Sequence, residues 1–460
     1  MNGLTLSALA KVTDGELFGE DVSINSYCTD SRKIIANSVY FCLRGDRFDG
    51  HDFVNDAIAQ GVCAIVCEER SDTDLPQLVV SDSRRAFGLY ANLWRRQMEL
   101  SVIGVTGSNG KTTVKQLLAG VFEQAGQVHF TRANDNNEIG VPQTLLGLTE
   151  EHDYAVVEMG ASARGEIKWL GSLVQPSVAV ITNASAAHLE GFGDAQSVAV
   201  EKAHIYTSLS DEGVAVINAD DQNYDYWLGV CKGKKVITFG RSGDVIARRS
   251  SDGSGITIEY DGQSANCSYA LCGEHNVQNA AAAAACAIAA GLPLSVIANG
   301  LSTVDPVAGR LNTLSMGSGI TVIDDTYNAN PASTRAAIDV LAQSSGQRLM
   351  VLGDLLELGA SEVEHHQSIG EYARTLGVDR LFTFGDLAQH AARTFGDHGD
   401  SFHNKAQLID ALNDQISNDE KSDHCTVLVK GSRSMKMEDV VAAVAAVFAD
   451  TNVPDGVCCQ

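Results

Sequence analysis

A lysine preceded by glycine and followed by two threonines, Gly110-Lys-Thr-Thr113, is the arrangement in this chain best suited to holding a polyphosphate. It sits in Ser101-Val-Ile-Gly-Val-Thr-Gly-Ser-Asn-Gly-Lys-Thr-Thr-Val114. Residues 102–105 form an apolar run that reads as a buried strand, and Gly107 and Gly110 bound the turn that follows. Val114, Leu117, Leu118, Val121 and Phe122 then recur at helical spacing and give one apolar face. A strand, a glycine turn and a helix N-terminus aim free N–H groups at one point, where the helix dipole adds partial positive charge. Gly107, Ser108, Asn109, Gly110, Lys111, Thr112 and Thr113 are therefore candidates for binding nucleotide phosphates. Lys111 would add a full charge at the β- and γ-phosphates, and Thr112 a hydroxyl for Mg²⁺. The general P-loop spacing asks for glycine at 105, where Val105 stands, so the loop is a shorter variant. A plain surface turn between strand and helix is the competing reading.

Other residues could complete such a site. Glu158 ends an apolar strand over 153–158, and open α/β sheets place ligands at the carboxyl ends of their strands, so it is placed to hold Mg²⁺ beside the loop. His188 lies in the loop after a strand over 178–182, and Lys202 on a helix over 199–209. Read alone, these two are a satisfied loop histidine and a helix-surface lysine. Nearer the start, Thr29-Asp-Ser-Arg-Lys33 and Arg44-Gly-Asp-Arg-Phe-Asp-Gly-His51 are polar clusters. They are either loop chemistry or a site for an anionic or sugar-bearing ligand, with Arg32 and Arg47 as phosphate partners.

The elements that must position these residues follow from the chain's patterning. At 460 residues the chain exceeds one core and suggests about three domains. Residues 1–82 mix short strands (39–43, 64–67, 78–80) with helix, including one over 52–60. Residues 82–98 read as a connecting helix. From 83 to 312 strand and helix alternate as in a parallel sheet, with an antiparallel patch over 244–270. Residues 313–460 begin a second α/β unit. Three of its strands end in glycine at Gly353, Gly385 and Gly431, which suggests backbone brought close to something at the sheet's carboxyl edge. His365 and His366 read as a solvated helix face. The formal charge of −25 argues against nucleic acid or an anionic membrane as partner. The odd count of eleven cysteines, without a C-x-x-C, suggests neither a disulfide framework nor a zinc site. A reducing cytoplasm fits. The first twelve residues show no signal-peptide pattern, and the apolar run over 280–292 is too short to span a bilayer.

With Glu158-Met-Gly-Ala161, Ala187-His-Leu-Glu-Gly-Phe-Gly193 and Gly273-Glu-His-Asn276, the phosphate loop resembles that of the Mur ligases, ATP-dependent amide-bond ligases of peptidoglycan precursor synthesis. The resemblance is to the branch that adds D-alanyl-D-alanine to UDP-N-acetylmuramoyl-tripeptide through an acyl phosphate. The residues that carry it are Asn134-Asp-Asn-Asn-Glu-Ile-Gly-Val-Pro142, Asp324-Asp-Thr-Tyr-Asn-Ala-Asn-Pro331, Val351-Leu-Gly-Asp354, Glu357-Leu-Gly359 and Val429-Lys-Gly-Ser-Arg-Ser434. Thr29-Asp-Ser-Arg32 and Arg47-Phe-Asp-Gly-His51 match as well.

The resemblance implies three domains: a small mixed α/β N-terminal domain for the UDP-muramoyl part, a central P-loop-type ATPase domain with a mostly parallel sheet, and a C-terminal Rossmann-like α/β domain that closes over both, hinged near 82–100 and 312–318. It implies ATP and Mg²⁺ as cofactors. Thr112, Glu158 and His188 would be metal partners, and Lys202 would be carbamylated at the second metal. Asn276, Arg310 and Asp325 would lie near adenine, phosphate and ribose, and Ser31, Arg32, Arg47, Asn134, Asn137, Asn328 and Asn330 would meet the substrates. It implies a cytoplasmic monomer. Two departures lie on the acceptor side, Ala133 where the family usually has glycine and Ser162 where it often has asparagine. The alternatives are another Mur ligase, a folylpolyglutamate synthase-like amino-acid ligase, or a P-loop ATPase without ligase activity.

Overall fold

Short apolar runs separated by turns give the first unit a five-stranded sheet, in the order Glu16–Phe18, Gln77–Val79, Ala64–Cys67, Val39–Phe41, Tyr27–Cys28. Only the outermost pair, Glu16–Phe18 with Gln77–Val79, is antiparallel. The computed structural model describes residues 3–45, 48–185, 189–251, 253–317, 319–418 and 424–449. Arg47, His188 and the polar tail from 451 lie outside them. The helix expected over 52–60 begins as a 3₁₀ turn, Gly50–Phe53, and becomes α-helical only over Val54–Ala59. The Asp49 carboxylate accepts from the His51 N–H at 3.0 Å and caps that opening turn.

The connecting helix, Ser83–Arg95, starts where the Asp82 side chain accepts from the Arg85 N–H. It is no free linker. Phe87 and Tyr90 lie against Tyr27 and Phe41 of the first sheet, with ring centroids 5.3–6.1 Å apart. Asn92 Nδ2 donates to the Leu173 carbonyl at 2.8 Å, and Trp94 Nε1 to the Leu148 carbonyl at 3.0 Å. The helix is a strut shared by two cores, so a hinge at 82–100 is not what this packing provides.

The second sheet has nine strands among the described residues. Their order is Gln263–Ser268, Gly255–Tyr260, Val245–Arg249, Lys235–Phe239, Val214–Asn218, Val178–Ile181, Ser101–Thr106, Tyr154–Glu158, Val128–Phe130. The first two pairings are antiparallel, as expected for 244–270, and the rest are parallel. Ser101–Thr106 lies between Tyr154–Glu158 and Val178–Ile181, so the phosphate loop, Glu158 and the loop after Ile181 emerge side by side. Small side chains on the helix Glu274–Ala289 let it sit tightly on the helix Lys111–Phe122; Ala280 to Ala287 are all buried.

The third sheet runs Asn312–Gly317, Ile320–Asp325, Cys425–Lys430, Gln347–Gly353, Arg380–Phe384, Gly399–Phe402, with only the first pair antiparallel. Leu311, immediately before it, has φ +51, a left-handed conformation. One expectation needs correction here, and a second gains its partners. His366 is not on a solvated face. It is fully buried, accepts from the Leu355 N–H through Nε2 at 3.0 Å, and meets the Glu362 carbonyl through Nδ1 at 2.6 Å. The strand-end glycines face protein. A Cβ on Gly353 would lie 2.9 Å from Met437 Sδ, one on Gly431 2.7 Å from Met437 Cγ, and one on Gly385 against the Asp354 carboxylate. Among the described residues no helix is long and apolar enough to cross a membrane.

Candidate active site

The phosphate loop is held in shape by its neighbours. Ser108 N–H donates to the Asn183 carbonyl at 2.9 Å, Asn109 N–H to Asn183 Oδ1 at 3.1 Å, and Thr182 Oγ1 to the Asn109 carbonyl at 2.5 Å. Two of the loop's amides are thus engaged by Asn183, in the loop after the strand Val178–Ile181. The first turn of the helix, from Lys111, supplies N–H groups with no intrahelical acceptor. Gly110 has φ +80, and a Cβ there would strike the Asn279 amide oxygen. Lys111 folds back over the loop, its Nζ donating to the Gly107 carbonyl at 2.7 Å and that of Ser108 at 3.3 Å. Burial pushes its pKa down, Arg310 adds to that, and the Glu158 charge opposes it.

Glu158 is the hub of the buried polar network, at 1% exposure. Its Oε1 accepts from Asn136 Nδ2 at 2.8 Å and Thr112 Oγ1 at 3.2 Å. Its Oε2 is buried without a hydrogen-bond donor, yet lies 3.2 Å from Lys115 Nζ. A buried carboxylate beside a threonine hydroxyl is a hard-oxygen pair that suits Mg²⁺, which needs few protein ligands because it keeps waters. No group of three or more His, Cys, Asp or Glu side chains gathers at metal-binding distance among the described residues.

Lys202, on the helix Ala195–Thr207, is 3% exposed and not a surface lysine. Burial brings its pKa down to about 7, helped by the Lys111 charge and opposed by Glu201. A large fraction of this amine is neutral at physiological pH, the form that can react with CO₂.

Among the described residues, one contact from the segment leading into the third unit and one from the third unit itself reach the loop. Arg310 Nη2 donates to Thr112 Oγ1 at 3.0 Å, with the guanidinium 4.1 Å above the Tyr327 ring. Asn330, which caps the helix Pro331–Ala342, donates from Nδ2 to Asn109 Oδ1 at 2.7 Å. Between the units lies a cleft of about 1550 Å³. It is lined by Ser108 to Thr113, Glu158, Asn276, Arg310, Asp325, Asn134, Asn137, Asn328 and Asn330, so most of the residues expected at the site do meet.

Several of them are engaged by protein. Asp325 Oδ2 accepts from the buried Lys430 at 2.5 Å and its Oδ1 from the Leu311 N–H at 3.2 Å. Asn276 Nδ2 donates to the Cys272 carbonyl at 2.7 Å. Asn137 Oδ1 accepts from the N–H groups of Ile139 and Gly140 just ahead of the helix Gly140–Leu146. Asn328 Oδ1 accepts from the Ala329 N–H at 2.9 Å.

Ser31 and Arg32 are not in the cleft. Arg32 is 85% exposed at its side chain and pairs with Asp30 through two hydrogen bonds of 2.8 and 2.9 Å, which hold the Asp30 carboxyl down at about 2. Sequence reasoning missed Lys115, Asn136 and Lys430. The last two lie inside motifs already singled out. Lys115 gave no signal beyond being a lysine one turn after Lys111.

Comparison with known proteins bears on this geometry. Residues 23–91 match the Mur ligase family catalytic domain, 105–287 the Mur ligase middle domain, and 309–433 the Mur ligase glutamate ligase domain. The UDP-N-acetylmuramoyl-tripeptide–D-alanyl-D-alanine ligase of Escherichia coli is 41% identical over 450 residues, covering 96% of this chain and 99% of that protein. A crystal structure of MurF from Acinetobacter baumannii superposes with a TM-score of 0.90 at 35% identity, covering 96% of this chain and 98% of the other. MurF of Thermotoga maritima, solved with ADP, superposes at 0.81 and 26% identity over 91% of this chain and 97% of that one. Three family segments in order, around a cleft that joins a phosphate loop to a third α/β unit, are accounted for in one way: the chain belongs to the Mur ligase family.

Proposed function

We propose that this chain is an ATP-dependent, ADP-forming ligase that joins D-alanyl-D-alanine to UDP-N-acetylmuramoyl-tripeptide in peptidoglycan precursor synthesis. The observation that carries the reading is the meeting of Lys111, Thr112, Glu158 and Arg310 in one cleft that Asn328 and Asn330 also line. Amide formation from a carboxylate at neutral pH needs an activated carbonyl. The tripeptide's terminal carboxylate attacks the γ-phosphorus of ATP, ADP leaves, and the dipeptide amine then displaces phosphate from the acyl phosphate. Bringing carboxylate and triphosphate together is opposed by their charge, and fixed cations are the remedy.

Lys111 and Arg310 supply positive charge from the chain. Thr112 and Glu158, with His188 and a carbamate on Lys202, would hold Mg²⁺, which supplies further neutralisation when bound. Asn276 and Asp325 serve adenine and ribose, the latter in competition with Lys430. Ser31, Arg32 and Arg47 serve the UDP-muramoyl part. Asn134, Asn137, Asn328 and Asn330 serve the peptide parts, with Asn137 using the Nδ2 that its Oδ1 contacts leave over. The domains are 1–82, 83–312 and 313–460, the strut helix sharing its packing between the first two. The protein acts as a cytoplasmic monomer.

The test is phosphate release from ATP with UDP-N-acetylmuramoyl-tripeptide, run with D-alanyl-D-alanine and with single amino acids. Turnover with the dipeptide alone is expected. Turnover only with a single amino acid would assign another ligase of the family, and release without any acceptor a plain ATPase.

A further inference from the structure

Lys115 lies four residues beyond the phosphate-loop lysine, on the inward side of the helix Lys111–Phe122, at 0% exposure. A buried ammonium is tolerated only with close partners. Among the described residues it has two, both outside its own helix: the Ala133 carbonyl, to which Nζ donates at 2.7 Å, and Glu158 Oε2 at 3.2 Å. Ala133 has φ +43, a left-handed conformation that a residue with a Cβ adopts reluctantly. The clamp therefore falls on the turn least able to keep its shape unaided. Beyond it, Asn136 donates to Glu158 Oε1 at 2.8 Å, and its carbonyl accepts from the Gly160 N–H at 2.8 Å. Glu138 pairs with Arg84 of the strut helix at 2.5 Å. Asn134, Asn136, Asn137 and Glu138 all face the cleft.

We infer that Lys115 is a positioning residue: by clamping the left-handed turn at Ala133 while neutralising Glu158, it holds the loop over 131–138 in its substrate-facing form. The loop spans from the phosphate-loop helix to the strut beside the first unit, so the substrate it serves is the UDP-muramoyl-tripeptide rather than the acceptor expected near Ala133. That assignment of substrate rests on the function proposed above.

Hydrogen exchange on the full-length protein tests the clamp without any substrate. Lys115→Met should speed exchange across 131–138 and at the Gly160 amide by about tenfold, the scale of one lost buried hydrogen bond to a charge, and leave the distal third unit unchanged. Ala133→Gly, which makes the left-handed turn easy, should restore much of that protection in the Lys115→Met background. In steady state Lys115→Met should raise KM for the UDP-muramoyl-tripeptide more than it lowers kcat, with partial reversal by Ala133→Gly. If the lone methionine leaves Glu158 unpaired and the chain unfolded, the pair Lys115→Met with Glu158→Gln removes both charges, and the same exchange comparison is read on it. Unchanged exchange over 131–138, loss of protection spread evenly over the chain, or no restoration by glycine would each overturn the inference. Absence of wild-type turnover would instead remove the proposed function and leave the exchange result to judge Lys115 alone.

Discussion

Asn330 Nδ2 and Asn109 Oδ1 stand 2.7 Å apart, so the cap of a third-unit helix and the phosphate loop of the central unit share one hydrogen bond. The third unit is thereby indexed to the loop that would hold the nucleotide. Nucleotide at that loop competes for the same amide, and motion of the third unit is the expected response. The strut helix is fixed on both sides, so the movement should turn about residues 309–312, where Leu311 is left-handed. Distances between paired spin labels check this. Addition of ATP and substrate should change the central-to-third distance and leave the first-to-central distance alone. No change in either, with identical small-angle scattering profiles, would remove the closure.

Lys111→Ala should abolish turnover with the fold intact, because Lys111 is the lysine that bends over the loop carbonyls. The measure is kcat beside far-ultraviolet circular dichroism. More than about a tenth of wild-type kcat, a loss under ~1.4 kcal/mol of barrier, would contradict it.

Lys202→Ala should lose most activity, and added acetate or formate should restore part of it while doing nothing for wild type. The buried amine, its pKa brought down by burial to about 7, can carry a carbamate, and a small carboxylate can fill the space of one. Lys202→Arg should be inactive, since guanidinium keeps its charge. An active arginine variant would show that the site requires positive charge.

His366 should make the third unit acid-sensitive. Burial depresses its pKa below the ordinary histidine value, opposed by its contact with the Glu362 carbonyl. The folded protein then binds fewer protons than the unfolded chain. The associated stability is complete above about pH 6.5 and is lost as pH falls below that toward the folded value. Thermal unfolding between about pH 6.5 and 5 should therefore soften with acid in wild type and less so in His366→Gln. His129 and His275 are depressed by burial in the same direction, so the variant should keep part of the slope. Equal slopes would clear His366 of any part in it.

The alternation of strands and helices reveals the layered architecture because each parallel strand is a continuous apolar run, as at 102–105 and 154–158. The phosphate loop and Glu158 are legible because their chemistry is local to one turn or one strand end. What escapes is set by contacts distant in sequence. Glu16–Phe18 and Tyr27–Cys28 are too short to show a period and exist through their neighbours in the sheet. Lys115 is buried only because the 131–138 loop and Glu158 close over it, and His366 because the chain at Leu355 does. The glycines ending three third-unit strands correctly mark close approach, but the approaching atoms belong to Met437 and Asp354.

The chain carries a net charge of −25, and the basic residues of its cleft, Lys111, Arg310, Lys430 and Arg433, stand among seven acidic ones, Glu138, Glu158, Glu166, Asp220, Asp221, Asp325 and Glu357, so positive charge is local to the phosphate loop. A polyphosphate meets two opposed fields in sequence, repulsive at long range and attractive only close to Lys111 and Arg310. Added salt shortens the first more than the second, since the Debye length falls from about 30 Å at 0.01 M to about 8 Å at 0.15 M. The capture rate, kcat/KM for the nucleotide, should therefore rise from very low ionic strength, pass through a maximum, and fall as the cleft's own cations are screened. The surface acidity sets how quickly anionic substrates are admitted and spent ones leave, a kinetic property carried by residues that never touch them.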